Sequence, residues 1–162
     1  MIEVALVDDN SFLLKTTQEK LSFFDDISIK LIAYDGQELL SKLEENHTID
    51  IILMDIEMPQ MDGREAVAKI RENPAWAKIP VIFLTADTDA ETEAECLKAG
   101  ADDFITKPFV PIVMLTRVSR ILEIYELRKN LETELEIKTE QMEKANQESV
   151  TDALTGLNNR AF

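Results

Sequence analysis

Five polar residues stand where short apolar runs of this chain end. They are Asp8 and Asp9 after "IEVALV", Asp55 in "MDIEMPQMDG", Thr85 in "LTAD" and Lys107 in "ITKP". Three carboxylates gathered in one crevice repel one another unless a cation joins them. Hard carboxylate oxygens suit Mg2+, which keeps several waters and is completed by phosphate oxygens. On charge alone, Asp8 and Asp9 would hold the metal beside Asp55, and Glu57 would lend a backbone carbonyl. Asp55, nearest the mouth, would be a carboxylate nucleophile that takes a phosphoryl group as an aspartyl phosphate. The metal and the Lys107 ammonium would neutralise the equatorial oxygens during in-line transfer, and the Thr85 hydroxyl would bond one of them afterwards. Each residue has a duller reading when taken singly: the aspartates could cap helices, Thr85 could close a turn, and Lys107 could be a surface cation. The set, not any member, carries the argument.

The elements that would position this set are legible as alternating runs. "IEVALV", "ISIKLIAY", "IDIILM" and "PVIFLT" have the length and Ile/Val/Leu content of buried strands, with "DDFIT" a weaker fifth. Between them, Ser11 to Phe24, Gln37 to Asn46, Arg64 to Glu72 and Asp89 to Ala99 repeat apolar residues at three and four. Thr88 and Glu91 have capping-box spacing at the start of the fourth helix, and Gly100 sits where a helix end wants a left-handed residue. Alternation of strand and helix predicts an α/β fold with a parallel sheet covered on both faces. In such a sheet ligands bind beyond the carboxyl ends of the strands where strand order reverses, and an order of 2-1-3-4-5 would bring all five residues to one edge.

Composition narrows the function. A chain of 162 residues accommodates one ordinary domain and an appendage. Its formal net charge of -15 argues against binding a nucleic-acid backbone, which relies on cationic groups. One cysteine, Cys96, makes no internal disulfide and reads as a small buried thiol in a reducing compartment. The acidic start "MIEVALVDDN" and the lack of any apolar run near ~18 residues point to a cytoplasmic protein with no membrane partner. Four glycines form no phosphate-cradling loop of the G-x-x-x-x-G-K or G-x-G-x-x-G kind, which weighs against a nucleotide-binding enzyme. His47 reads as an exposed loop residue without a catalytic partner, and Trp76 as a loop anchor.

The paired Asp8-Asp9, the string Asp55, Met58, Pro59, Met61, Asp62, Gly63, the "LTA" at Thr85 and "GADDFITKP" ending in Lys107-Pro108 resemble the receiver domain of two-component response regulators, over roughly residues 1 to 125. The resemblance implies a flavodoxin-like fold, Mg2+ as cofactor, a histidine kinase, phosphotransfer protein or small acyl phosphate as phosphodonor, and a cis Lys107-Pro108 bond. It also implies a switch in which Thr85 moves toward the phosphoryl group and an aromatic on the fifth strand turns inward. Phe104 occupies that place and has no hydroxyl, so coupling there would run through packing; it reads equally as a core residue. Glu57 and Asp87 lie where side chains overhang the phosphoryl group, and both are expected to set the dephosphorylation rate.

From Ile112 to Val150 the chain carries no glycine or proline. This predicts a helix of roughly 40 residues, about 60 Å long, continuous with the last receiver helix. Ile121, Ile124, Arg128, Leu131, Leu135, Lys138, Met142 and Ala145 follow alternating steps of three and four, a coiled-coil seam weakened by its two cations. A solvated lone helix is the alternative to pairing with a second copy. Residues 151–162, "TDALTGLNNRAF", resemble the entry of GGDEF domains, the diguanylate cyclases, through Asp152, Leu154, Thr155, Gly156, Leu157, Asn159 and Arg160. On that resemblance the chain is the regulatory half of a protein that makes cyclic di-GMP. It would dimerise through receiver and coiled coil and would not itself cyclise GTP, its own chemistry being self-phosphorylation and dephosphorylation. The alternative is a receiver whose coiled coil recruits a partner, with no cyclase output.

Overall fold

A computed structural model of the protein describes residues 1–45, 48–86 and 89–160, the stretch 148–160 by its backbone alone. The parallel strands β1 (Ile2–Val7), β2 (Ile27–Ala33), β3 (Ile51–Asp55), β4 (Val81–Thr85) and β5 (Asp103–Thr106) form one sheet in the order β2-β1-β3-β4-β5. The predicted order and flavodoxin-like architecture are therefore observed. Val4 to Val7, Ile51 to Met54 and Val81 to Leu84 are wholly buried, which explains why these strands read as unbroken apolar runs. Successive side chains fall on opposite faces. Ala5, Val7, Ile52, Met54, Val81 and Phe83 share one core cluster with residues of α2 (Gly36–Glu45), α3 (Gly63–Glu72) and α4 (Ala90–Ala99). Val4, Leu6, Leu53, Ile82 and Leu84 have the other parity, and α1 (Ser11–Leu21) and α5 (Pro111–Arg160) bury Leu14, Leu21, Met114 and Val118.

Local chemistry sets the boundaries. α1 is capped by Asn10, whose side chain accepts from the N–H groups of Phe12 and Leu13 at 3.1 and 3.2 Å. α3 is capped by Asp62, which accepts from the Glu65 N–H at 2.9 Å. Asn10 and Asp62 thus do the capping that the strand-end aspartates could have done. β2 stops one residue short of the predicted "ISIKLIAY" because the Tyr34 N–H turns to the Glu38 carboxylate at 2.9 Å. Gly100 ends α4 at φ 111°, the left-handed geometry its position predicts. α4 begins at Ala90, so its N-cap position falls on Asp89 and not on Thr88, which lies outside the described residues together with His47. Cys96 is buried as expected, and Trp76 sits in the turn between Asn73 and Ile79, packed against the core cluster.

The chain divides into two units, Met1–Leu122 and Glu123–Phe162. α5 contributes to both; it begins at Pro111 and its helical backbone continues past Val150 to Arg160, ten residues further than its composition predicts. Glycine costs a helix interior only about 1 kcal/mol relative to alanine, and a single Gly156 does not stop it. Among the described residues no helix is long and apolar enough to cross a membrane.

Candidate functional site

The reversal of strand order between β1 and β3 opens a crevice at their carboxyl ends. Asp8 follows β1, with its own N–H donating to the Ala33 carbonyl of the adjacent β2 at 3.1 Å and its Oδ1 accepting from the Asn10 N–H at 3.0 Å. It is almost wholly buried, whereas Asp9 beside it is exposed. Asp55 ends β3, and its Oδ1 accepts from the Ile56 N–H at 3.0 Å. Asp8, Asp9 and Asp55 each bring one carboxylate oxygen to within 4.8 Å of the others.

Lys107 joins two of the three. Its Nζ donates to Asp8 Oδ2 at 2.9 Å and lies 3.3 Å from Asp55 Oδ1. The Lys107 N–H donates to the Thr85 carbonyl at 2.7 Å, which fixes the end of β5 against the end of β4, where Thr85 is buried. The Lys107-Pro108 bond is cis. Three carboxylates against one ammonium leave a surplus of negative charge, and burial pushes the Asp55 carboxyl up from its ordinary 3.8 to about 6; the Lys107 ammonium pulls the other way, and the neighbouring Asp8 adds to the rise. A donor set made wholly of hard oxygens, with charge left over for a dication, fits Mg2+.

The loop after Asp55 is held by a close approach of backbone. Gly63 donates its N–H to the Ile56 carbonyl at 2.7 Å, and a Cβ at Gly63 would lie 2.7 Å from the Asp55 carbonyl oxygen and 2.9 Å from Phe83 Cε1. The glycine of "MDG" is thus the seat on which the Asp55 turn rests. Glu57 is exposed two residues after Asp55, and Asp87 lies outside the described residues. Phe104 is partly buried and packs against the core cluster. Ile121 is buried with the receiver helices, while Ile124, Arg128, Leu131, Leu135, Lys138, Met142 and Ala145 are exposed.

Sequence reasoning passed over two arginines that tie this frame together. Arg71 donates to the carbonyls of Ala77, Ile79 and Gly100 and to the Asp102 carboxylate, spanning the approaches to β4 and β5. Arg117 of α5 donates to the Asp103 carboxylate and the Phe104 carbonyl. Lys20 of α1 donates to the Phe109 carbonyl at 3.2 Å and lies over its ring, tying α1 to the loop after Lys107.

Comparison with known proteins places this geometry. Residues 4–119 match the response regulator receiver domain model. The chain is 31% identical over 124 residues to chemotaxis protein CheY1 of Helicobacter pylori, covering 75% of this chain and 97% of that one. It is 30% identical over 141 residues to Histidine kinase 2 of Arabidopsis thaliana, 75% of this chain but 12% of that one. The chain spans between 12% and 47% of the length of several curated relatives that it matches. Among solved structures, the CheX-CheY-BeF3-Mg2+ complex of Borrelia burgdorferi is similar with a TM-score of 0.67 at 31% identity, over 74% of this chain and 88% of that one. A match over most of the chain, with the acidic crevice and its lysine at the strand ends, means that this protein belongs to the response regulator receiver domain family of two-component signalling.

Proposed function

We propose that Asp55 takes a phosphoryl group from a histidine kinase or phosphotransfer protein. The observation that carries this reading is the Lys107 ammonium, 2.9 Å from Asp8 and 3.3 Å from Asp55, inside a cluster of three carboxylates. Asp8, Asp9 and Asp55, with the backbone carbonyl of Glu57, would hold Mg2+, a reading supported by the BeF3 and Mg2+ present with the similar CheY. Such an ion supplies positive charge for the phosphoryl oxygens. An Asp55 oxygen attacks phosphorus, forming an O–P bond as the P–N bond to the donor imidazole breaks and its electron pair leaves with the nitrogen. Lys107 keeps its charge on the transferred group, and the Thr85 hydroxyl bonds one of its oxygens. Phe104 responds through packing, and Glu57 and Asp87 set the rate at which water removes the group.

The experiment is the intact mass of the chain after incubation with acetyl phosphate, with and without Mg2+, beside Asp55→Asn. One Mg2+-dependent phosphoryl adduct, missing from the variant, is expected. No adduct on the native chain would overturn the assignment.

Downstream, the exposed seam from Ile124 to Ala145 would pair with a second copy, since its three-four alternation persists over several heptads. Phosphorylation would shift the population of receiver dimers and the helix would carry the change to a diguanylate cyclase domain begun by "TDALTGLNNR". The coding sequence after Phe162 tests this: a GGDEF loop is expected, and an unrelated continuation would leave the coiled coil as a partner-recruiting module.

A further inference from the structure

A receiver whose switch aromatic lacks a hydroxyl still has to connect its fifth strand to its output helix. β5 is a four-residue edge strand, paired only with β4, so its outer main-chain groups are not engaged by another strand. Arg117 of α5 meets that outer edge. One nitrogen of its guanidinium donates to both Asp103 carboxylate oxygens, at 3.2 and 3.3 Å, and to the Phe104 carbonyl at 3.0 Å. The Asp103–Arg117 ion pair is partly exposed and taken alone would contribute little. The carbonyl bond gives it direction, because it fastens the helix to the backbone of Phe104 itself.

Position along the helix adds an independent observation. The seam steps back from Leu131 to Arg128, Ile124 and Ile121 by three, four and three, and the next step of four lands on Arg117. Arg117, Ile124 and Leu131 are seven residues apart and occupy equivalent heptad positions. Met114, Val118 and Ile121 are the buried residues of this part of the helix, so Arg117 lies between its core-facing positions and the exposed seam. The path from the site is short. Thr85 pairs with Thr106 and Phe83 with Phe104 across β4 and β5, and the Lys107 N–H holds the Thr85 carbonyl.

We propose that Arg117 is the positioning residue that couples β5 to the coiled-coil seam: it holds the backbone of Phe104 on one side and occupies the seam's own register on the other. A displacement of β5 then turns the helix at a seam position without a phenolic hydroxyl. This rests on the reading of Asp55 as phosphoacceptor and of the seam as a pairing surface.

The test uses the whole chain, with acetyl phosphate and Mg2+ in excess, and reads adduct by intact mass and the dimer dissociation constant by sedimentation. The ratio of dissociation constants with and without phosphoryl group is the quantity of interest. In the native chain it should depart from one by about fivefold or more, the lower range of couplings between sites. Arg117→Ala should form the adduct fully, keep its thermal midpoint within a few degrees, and bring the ratio to about one. Arg117→Lys, which keeps the charge on a shorter side chain with a different donor geometry, should fall between. Asp103→Asn, which leaves the bond to the Phe104 carbonyl, should retain most of the native ratio. A native ratio in phosphorylated Arg117→Ala overturns the coupling, as does a native chain that forms adduct without any change in pairing. A native chain without adduct removes the reading underneath and the coupling with it.

Discussion

At the scale of single residues, the burial of Asp55 produces a pH dependence of its own. Its folded value of about 6 lies above the ordinary 3.8, so between these values the folded chain holds a proton that the unfolded chain has released. That preference stabilises the fold in full below about pH 3.8 and is lost as pH rises through about 6. In metal-free buffer the native chain should therefore lose about 2 kcal/mol relative to Asp55→Asn between about pH 4.5 and pH 7. Urea denaturation of both proteins at the two pH values measures it; parallel behaviour would show that the crevice does not penalise the charge. Glu57 and Asp87 make a second prediction at this scale. Replacing both with alanine should change the lifetime of the phosphoryl adduct by about tenfold or more, if side chains over the site orient the attacking water. An unchanged half-life would remove them from the chemistry.

Elements place these residues, and they do so through contacts of unequal visibility. Gly63 begins α3 against the Asp55 turn, and a Cβ there would lie 2.7 Å from the Asp55 carbonyl oxygen. Gly63→Ala should cost about 1–3 kcal/mol, typical of overpacking, and slow adduct formation because the backbone of Asp55 must shift. Denaturation and the rate of mass gain read the two effects, and a stable variant that phosphorylates normally would mean the turn is softer than its spacing implies. Arg71 works by hydrogen bonding instead: its loss leaves the Ala77, Ile79 and Gly100 carbonyls and the Asp102 carboxylate short of a donor. Arg71→Ala should destabilise by roughly 2–4 kcal/mol, and Arg71→Lys should recover only part of it, since an ammonium lacks the fork that spans these groups. The contrast explains what was legible. β1, β3 and β4 are buried on both faces, so burial writes itself into the sequence as unbroken Ile, Val and Leu, and Asp8, Asp55 and Thr85 stand out as the polar residues at their ends, while Lys107 follows the short and only partly buried β5. Arg71 acts largely, and Arg117 in part, on main-chain carbonyls, which have no side-chain signature, and in sequence they are indistinguishable from surface cations on amphipathic helices. The N-cap of α4 falls on Asp89, one residue after Thr88, for a related reason: capping-box spacing at Thr88 and Glu91 does not say which residue leaves the helical backbone first.

At the scale of the whole molecule, the second unit carries its apolar side chains exposed. Ile124, Leu131, Leu135 and Met142 are between 41% and 67% exposed in the single chain, spaced by seven, four and seven. Arg128 and Lys138 interrupt them, and the Arg128 guanidinium lies over the Tyr125 ring at 5.9 Å, a weak local contact and not a reason to place a cation in a seam. In a parallel pair each cation would face its own copy, and the like charges would oppose association at two layers. A seam held near its dissociation point is one that a modest shift in the receiver can move. Replacing Arg128 and Lys138 together with leucine places four more leucines in the dimer, each contributing roughly 1.5–3 kcal/mol if fully buried. Part of that gain goes into ordering the helices, so a dimer tighter by about 100-fold or more is a conservative expectation. Sedimentation of the native and double-leucine chains reads this directly, and phosphorylation should move the native equilibrium while leaving the leucine variant paired throughout. A double-leucine chain that remains monomeric would assign the exposed stripe to a different partner, and one that pairs yet still responds to phosphorylation would place the switch outside the seam.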